Sequence, residues 1–228
     1  MNKSAVWMKA SFLQLKLYLW IIVGALVVSV TTNLIISLSM RSGENSTLST
    51  ANLFTLFLFF VGSVLPASFF KRMINLGATR REYYLGILLV YAAWAAFFAV
   101  LNIIWLQLEI HVIRDYITTF NILEIFGWSQ FGVFGMFIYQ FGVYLVLLSL
   151  LNLLFSGTRH LVGRVIWVVF IAAIPIFTSI APLRKILADG LRDLLANDSL
   201  LQGFGINIII ALLLLTGGWL LTARRTLT

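Results

Sequence analysis

The side chains able to do chemistry are few and scattered. The two histidines, His111 and His160, fall in loops assigned to opposite sides of a membrane, so they cannot share a metal ion, and no H-E-x-x-H spacing surrounds either. Ser156-Gly157-Thr158-Arg159-His160 sets a serine near an imidazole, but no acid stands by to orient that ring as nucleophilic catalysis requires. A helix end with a glycine cap and cations suited to its dipole accounts for the same residues. Cysteine is absent, which removes disulfides, thiolate nucleophiles and Cys-ligated metals. No acidic pair or cluster is placed to hold Mg²⁺ for phosphoryl transfer. The chain therefore reads as a non-enzyme, with no catalytic, cofactor-binding or metal-ligating residue assigned. Asn33, Asn102, Gln140, Asn152 and Asn207 are the conspicuous polar groups within apolar sequence, and hydrogen bonds between helices explain them better than a ligand path does.

The elements that carry these residues are apolar throughout. The 228 residues are 61% hydrophobic and 11% charged, against roughly 25% charged in soluble domains, and the mean hydropathy is +1.01. Six runs contain no Lys, Arg, Asp or Glu: Leu17–Leu38, Ala51–Phe70, Leu85–Leu108, Phe131–Phe155, Val165–Ala181 and Phe204–Ala223. A helix of about 20 residues crosses about 30 Å of hydrocarbon, so the runs predict six transmembrane helices in one all-α domain covering the chain. Gly24, Gly142, Gly217 and Gly218 are expected to let helices approach closely. Ion-coupled transport usually keeps a charge at membrane depth, and the six runs hold none.

Charge sets an orientation. With the N-terminus inside, the inner segments hold Lys3, Lys9, Lys16, Lys71, Arg72, Arg80, Arg81, Arg159, Arg164, Arg224 and Arg225 out of 16 basic residues, and Glu82 alone of the 8 acids. Both termini are thus expected in the cytoplasm of a cell that carries this protein in its plasma membrane. The net charge of +8 reports topology, not nucleic-acid binding. Three segments outside the spans have helical periodicity of their own. Ala5, Met8, Phe12 and Leu15 predict an amphipathic N-terminal elbow helix, and Ile113, Tyr116, Ile117, Phe120 and Leu123 predict a short outer helix. Leu183, Ile186, Leu187, Leu191, Leu194 and Leu195 predict another, between spans five and six.

The inner loop between spans two and three is the segment with most detail. Thr79-x-x-Glu82 ahead of an apolar run is a capping box, so span three is predicted to begin at Thr79. Gly77 permits a sharp turn before it, while Met73, Ile74 and Leu76 place apolar side chains among Lys71, Arg72, Arg80 and Arg81. A tight hairpin with topogenic cations and a docking site for a cytoplasmic partner both fit this pattern.

Phe69-Phe70-Lys71-Arg72, followed by Leu76-Gly77-Ala78-Thr79-Arg80-Arg81-Glu82-Tyr83-Tyr84-Leu85-Gly86, resembles the start of span three in permease subunits of ABC exporters of the type-2 class. The elbow, the six spans and the short helices between Ala181 and Gly203 resemble that class more loosely. The resemblance implies a coupling helix formed by Arg72, Met73, Ile74, Asn75, Leu76, Gly77, Ala78, Thr79, Arg80, Arg81 and Glu82, seated in a cleft of an ATPase. It also implies a translocation path at the interface of two permeases, the same chain or a related one. No G-x-x-x-x-G-K-[ST] loop occurs, so ATP and Mg²⁺ would be bound by a separate ABC ATPase subunit present in two copies. Rival readings are the substrate-binding membrane subunit of a vitamin-type importer, which the basic inner loop fits less well, a membrane-bound enzyme on lipid or peptide, and a scaffold.

Overall fold

The computed structural model describes residues 3–39, 46–114, 118–158 and 160–225. Among them six helices are long and apolar enough to cross a membrane: Val6–Asn33, Thr50–Asn75, Arg80–Ile113, Trp128–Ser156, Leu161–Ser179 and Leu200–Ala223. The protein is an all-α multi-pass membrane protein, and each helix contains or overlaps one of the expected runs.

Helix α1 (Lys3–Ser39) makes span one. The segment expected as a separate elbow is helical but continues into the span without a break, because neither Gly nor Pro stands between Lys3 and Val23 to interrupt it. A 3₁₀ turn at Thr50–Asn52 leads into α2 (Leu53–Val64), which loosens to a π-helical turn at Leu65–Phe69 and resumes as α3 (Phe70–Asn75). Pro66 lies in the loosened turn, where its missing N–H costs no regular i to i−4 bond. Helix α4 (Arg80–Leu108) forms span three and ends in a second π turn, Glu109–Ile113.

The outer helix expected around residues 113–124 does not form. Among its described residues, Thr118–Phe120 is a strand, β2, that pairs in parallel with β1 (Ser46–Leu48), Ser46 opposite Thr118. Its β-branched threonines favour extended backbone over the helical period that their neighbours suggest. Asn121 then caps a new four-residue helix, α5 (Ile122–Ile125), its side chain accepting from the Leu123 N–H at 3.0 Å. Tyr116 and Ile117 lie outside the described residues. A 3₁₀ turn at Trp128–Phe131 leads into α6 (Gly132–Ser156), then α7 (Leu161–Ser179), α8 (Ala181–Leu195) and α9 (Leu200–Ala223). Helix α8 is the amphipathic helix expected there.

Packing concentrates where α2, α4, α6 and α9 meet. Phe57 of α2 packs its ring 5.0 Å from those of Trp94 and Phe98 on α4, which stack on each other at 5.7 Å. The α6–α9 seam is close because glycines line it: a Cβ on Gly203 would lie 2.5 Å from the Tyr139 ring, and one on Gly218 2.4 Å from Asn152 Nδ2. A Cβ on Gly142 would lie 3.0 Å from Phe204 in the same way, whereas one on Gly24 would face open space. The span amides knit this body together. Asn152 accepts from the Tyr91 hydroxyl at 3.3 Å and donates to Tyr84 at 3.4 Å, while Asn207 donates to the carbonyls of Leu194 and Gly203. The bundle has a basic end, where the α3–α4 turn, the α6–α7 turn and the close of α9 meet, and a weakly acidic end, five acids to four bases among the described residues, built from the 46–52, 109–114, 118–127 and 180–199 segments.

Candidate functional site

Local sequence dictates the capping bonds of the α3–α4 turn. Helix α3 stops at Leu76 and Gly77 takes φ +89°, the left-handed region that a Cβ disfavours. The Gly77 N–H then reaches the Ile74 carbonyl at 2.9 Å and the Ala78 N–H the Met73 carbonyl at 3.1 Å, the paired bonds of a Schellman C-cap. Thr79 follows at once as N-cap of α4. Its hydroxyl accepts from the Glu82 N–H at 3.2 Å, and Glu82 Oε2 accepts from the Thr79 N–H at 3.1 Å, which is the capping box expected from the sequence. One helix is closed and the next opened with no unstructured residue between them.

Two neighbouring spans, α1 and α9, fasten this turn, and Arg225 beyond α9 ties that end back to span two. Arg72 donates to Gln14 Oε1 on α1 at 2.7 Å, and Gln14 donates to Ser68 Oγ at 3.3 Å. Trp7 of α1 lies over Gly86, where a Cβ would fall 2.4 Å from the indole. Arg80 donates to the Ala223 carbonyl at the end of α9 at 2.5 Å. Arg225 turns inward and is 2% exposed; it donates to the carbonyls of Pro66 at 2.5 Å and Ala67 at 3.1 Å and sits 4.6 Å over the Phe70 ring. Those carbonyls belong to the π turn, whose irregular bonding leaves them open to an outside donor. Counting Arg225 as a topogenic cation conceals this role, since only the fold brings it to Pro66.

The apolar residues of the loop divide. Met73 is 6% exposed and belongs to the bundle core, and Ile74 is half-buried against that core. The expectation that Met73, Ile74 and Leu76 project together is corrected: α3 turns Met73 inward because Phe70 and Met73 share its core face. Leu76 alone projects, 75% exposed, with Lys71, Arg72, Asn75, Arg80 and Arg81 exposed around it. Ser68, Lys71, Arg72, Asn75 and Leu76 line an open basic groove of about 620 Å³.

A polar cluster that sequence reasoning missed lies at the acidic end. Glu109, counted among loop acids, is 1% exposed. Its Oε1 accepts from Ser49 Oγ at 2.5 Å and Trp105 Nε1 at 2.9 Å, and its Oε2 accepts from Asn121 Nδ2 at 3.2 Å. The direction of the Ser49 bond follows from its partners: the Ala51 N–H and Asn121 Nδ2 occupy its acceptor positions, so its proton goes to Glu109. The Trp105–Glu109 spacing of one helical turn was the available signal. Beside the cluster, Arg114 and Glu124 form a bidentate pair, and that carboxylate raises the Arg114 pKa above its ordinary value. His111 is exposed at this end, with Nδ1 2.8 Å from the Gln107 carbonyl, while His160 is at the other. Ser156 and His160 form no catalytic pair: the Ser156 hydroxyl donates to Asn152 Oδ1 at 3.4 Å.

No family model, curated protein or solved structure matches the chain.

Proposed function

We propose that this chain is the permease subunit of an ATP-driven exporter of the type-2 ABC class, paired with a second permease and driven by two copies of a separate ATPase that seat on the α3–α4 turn. The observation that carries the reading is the fastening of that turn to α1 and to the end of α9, which Arg225 in turn clamps to the π turn of span two. A hairpin that merely reverses the chain needs a glycine and a cap. Side-chain bonds from Arg72, Arg80 and Arg225 go further, because a push on the turn is then delivered to four spans at once. The exposed partner face, Leu76 within a ring of cations, suits an acidic cleft with one apolar pocket. The basic end then faces the cytoplasm of the plasma membrane, and both termini lie there.

Purification in mild detergent followed by mass spectrometry tests this. An ABC ATPase is expected with the wild-type chain and absent from Leu76→Ser, whose own melting temperature stays unchanged because an exposed residue was altered. A wild-type preparation without any ATPase, or an L76S preparation that keeps it at full yield, overturns the docking assignment.

A further inference from the structure

Helix α7 stands apart from the bundle and buries only Gly163. Contacts near its start hold it to the end of α6, among them the Phe155 and Trp167 rings packed edge to face at 5.3 Å. Gly163 abuts Gly157 so closely that a Cβ would fall 1.9 Å from the Gly157 carbonyl oxygen, and Trp167 Nε1 donates to the Leu154 carbonyl at 2.8 Å. Gly157 itself keeps a negative φ of −89°, so the glycine pair serves the close approach and not a left-handed cap. Because the approach is confined to one turn, a crevice of about 510 Å³ opens between α6, α7 and α9 at the basic end. That volume falls within the range of about 300–1,000 Å³ typical of small-molecule sites.

The crevice is amphipathic in a definite order. Leu153, Ile166, Gly217 and Leu221 form an apolar wall, while His160 and Arg224 stand at its mouth. Arg224 is exposed, and its guanidinium has no hydrogen-bond partner among the described residues; adjacent Arg225 is buried against span two. His160 Nε2 is buried within the mouth, likewise with no partner. The N-terminus of α7 opens there too and lacks a side-chain cap. An apolar slot between spanning helices, with the Arg224 guanidinium and an unpartnered imidazole at headgroup level, complements an acyl chain that ends in a phosphate.

We propose that this crevice is a binding site for an anionic phospholipid of the leaflet at the basic end, with one acyl chain against Leu153, Ile166 and Leu221 and its phosphate at Arg224 and His160. The site requires only that the basic end lie at a bilayer surface, so it stands or falls independently of the ATPase.

Native mass spectrometry of the full chain with phosphatidylglycerol or phosphatidylcholine of matched chains tests it, with glycerol 3-phosphate as a headgroup lacking chains. Wild-type protein is expected to retain phosphatidylglycerol preferentially. Arg224→Gln is expected to weaken that retention about five-fold, as loss of one basic group near an anionic headgroup implies, while Arg184→Gln at the opposite end leaves it unchanged. Val162→Trp, at an exposed position on the crevice wall, is expected to block both lipids. Melting in phosphatidylcholine confirms that each variant is folded; if V162W fails that control, the R224Q and R184Q pair decides. Equal retention of the two lipids by wild type, unchanged retention in R224Q, or displacement of the lipid by glycerol 3-phosphate overturns the proposal, the last by assigning the site to a free phosphate.

Discussion

At the scale of single residues, two buried charges do work that their sequence positions conceal. Glu109 follows directly after an apolar run and reads as a loop acid, yet three neutral donors close around it. One of them comes from Ser49, 60 residues upstream, and another from Asn121, 12 residues on. Nothing local in the sequence announces partners so distant. Replacing the carboxylate by an amide, Glu109→Gln, turns a donor toward Ser49, Trp105 or Asn121. The expected cost is about 1–3 kcal/mol, the penalty for a buried polar group left without its bond, measured as a lower denaturation midpoint. Trp105→Phe removes one donor and keeps a smaller aromatic ring, so it is expected to cost at least about 1 kcal/mol from the lost bond. Arg225 makes the matching case at the basic end, where its planar fork spans two carbonyls and covers Phe70. Arg225→Lys keeps the charge but cannot reproduce the fork, and a loss of about 1.5–3 kcal/mol is expected from the thermal or denaturant midpoint, the worth of a hydrogen bond to a charged group. A midpoint equal to wild type would mean that Arg225 does not clamp the π turn.

At the scale of elements, legibility followed how local the determining physics was. The capping box of Thr79 and Glu82, the left-handed Gly77 and the stripe of α8 are all set within a few residues, and the sequence displays them. Residues 113–124 misled because their apolar spacing matches a helix while Thr118 and Thr119 prefer extended backbone, and pairing with Ser46–Leu48 decided the outcome. Met73 and Leu76 look equivalent as apolar letters in a basic loop; only the direction of α3 against the core separates them. The turn gives a prediction at this scale. Space around Gly77 is open, so Gly77→Ala meets only the backbone cost of φ +89°, about 1–2 kcal/mol. Asn tolerates that region better, and Gly77→Asn is expected to lose less. Thr79→Ala is expected to cost about 1 kcal/mol through the lost cap. Equal melting points for G77A and G77N would show that the left-handed turn is not what sets the cost.

At the scale of the whole molecule, the bundle is asymmetric in packing and in charge, and the two asymmetries can be tested separately. The Arg80–Ala223 and Arg225–Pro66 bonds require Gly77 and the end of α9 to share one side of the membrane, whichever side that is. Helix α8, reached from α7 and leaving through α9, must lie on the other. The sign of the arrangement comes from charge alone: Lys71, Arg72, Arg80, Arg81, Arg164, Arg224 and Arg225 gather at the first end with Glu82 as the one acid, while at the second Arg114, Arg184, Lys185 and Arg192 are offset by Glu109, Glu124, Asp189, Asp193 and Asp198. Positive charge in short loops resists translocation, so the first end is expected to stay in the cytoplasm. Reporter fusions after Gly77 and at the C-terminus are therefore expected to read as cytoplasmic, and a fusion after Ala188 as external. Disagreement between Gly77 and the C-terminus would break the bundle geometry itself. Agreement between them with both external would leave the fold standing but reverse the membrane orientation, and an ATPase on the cytoplasmic side could then no longer reach Leu76.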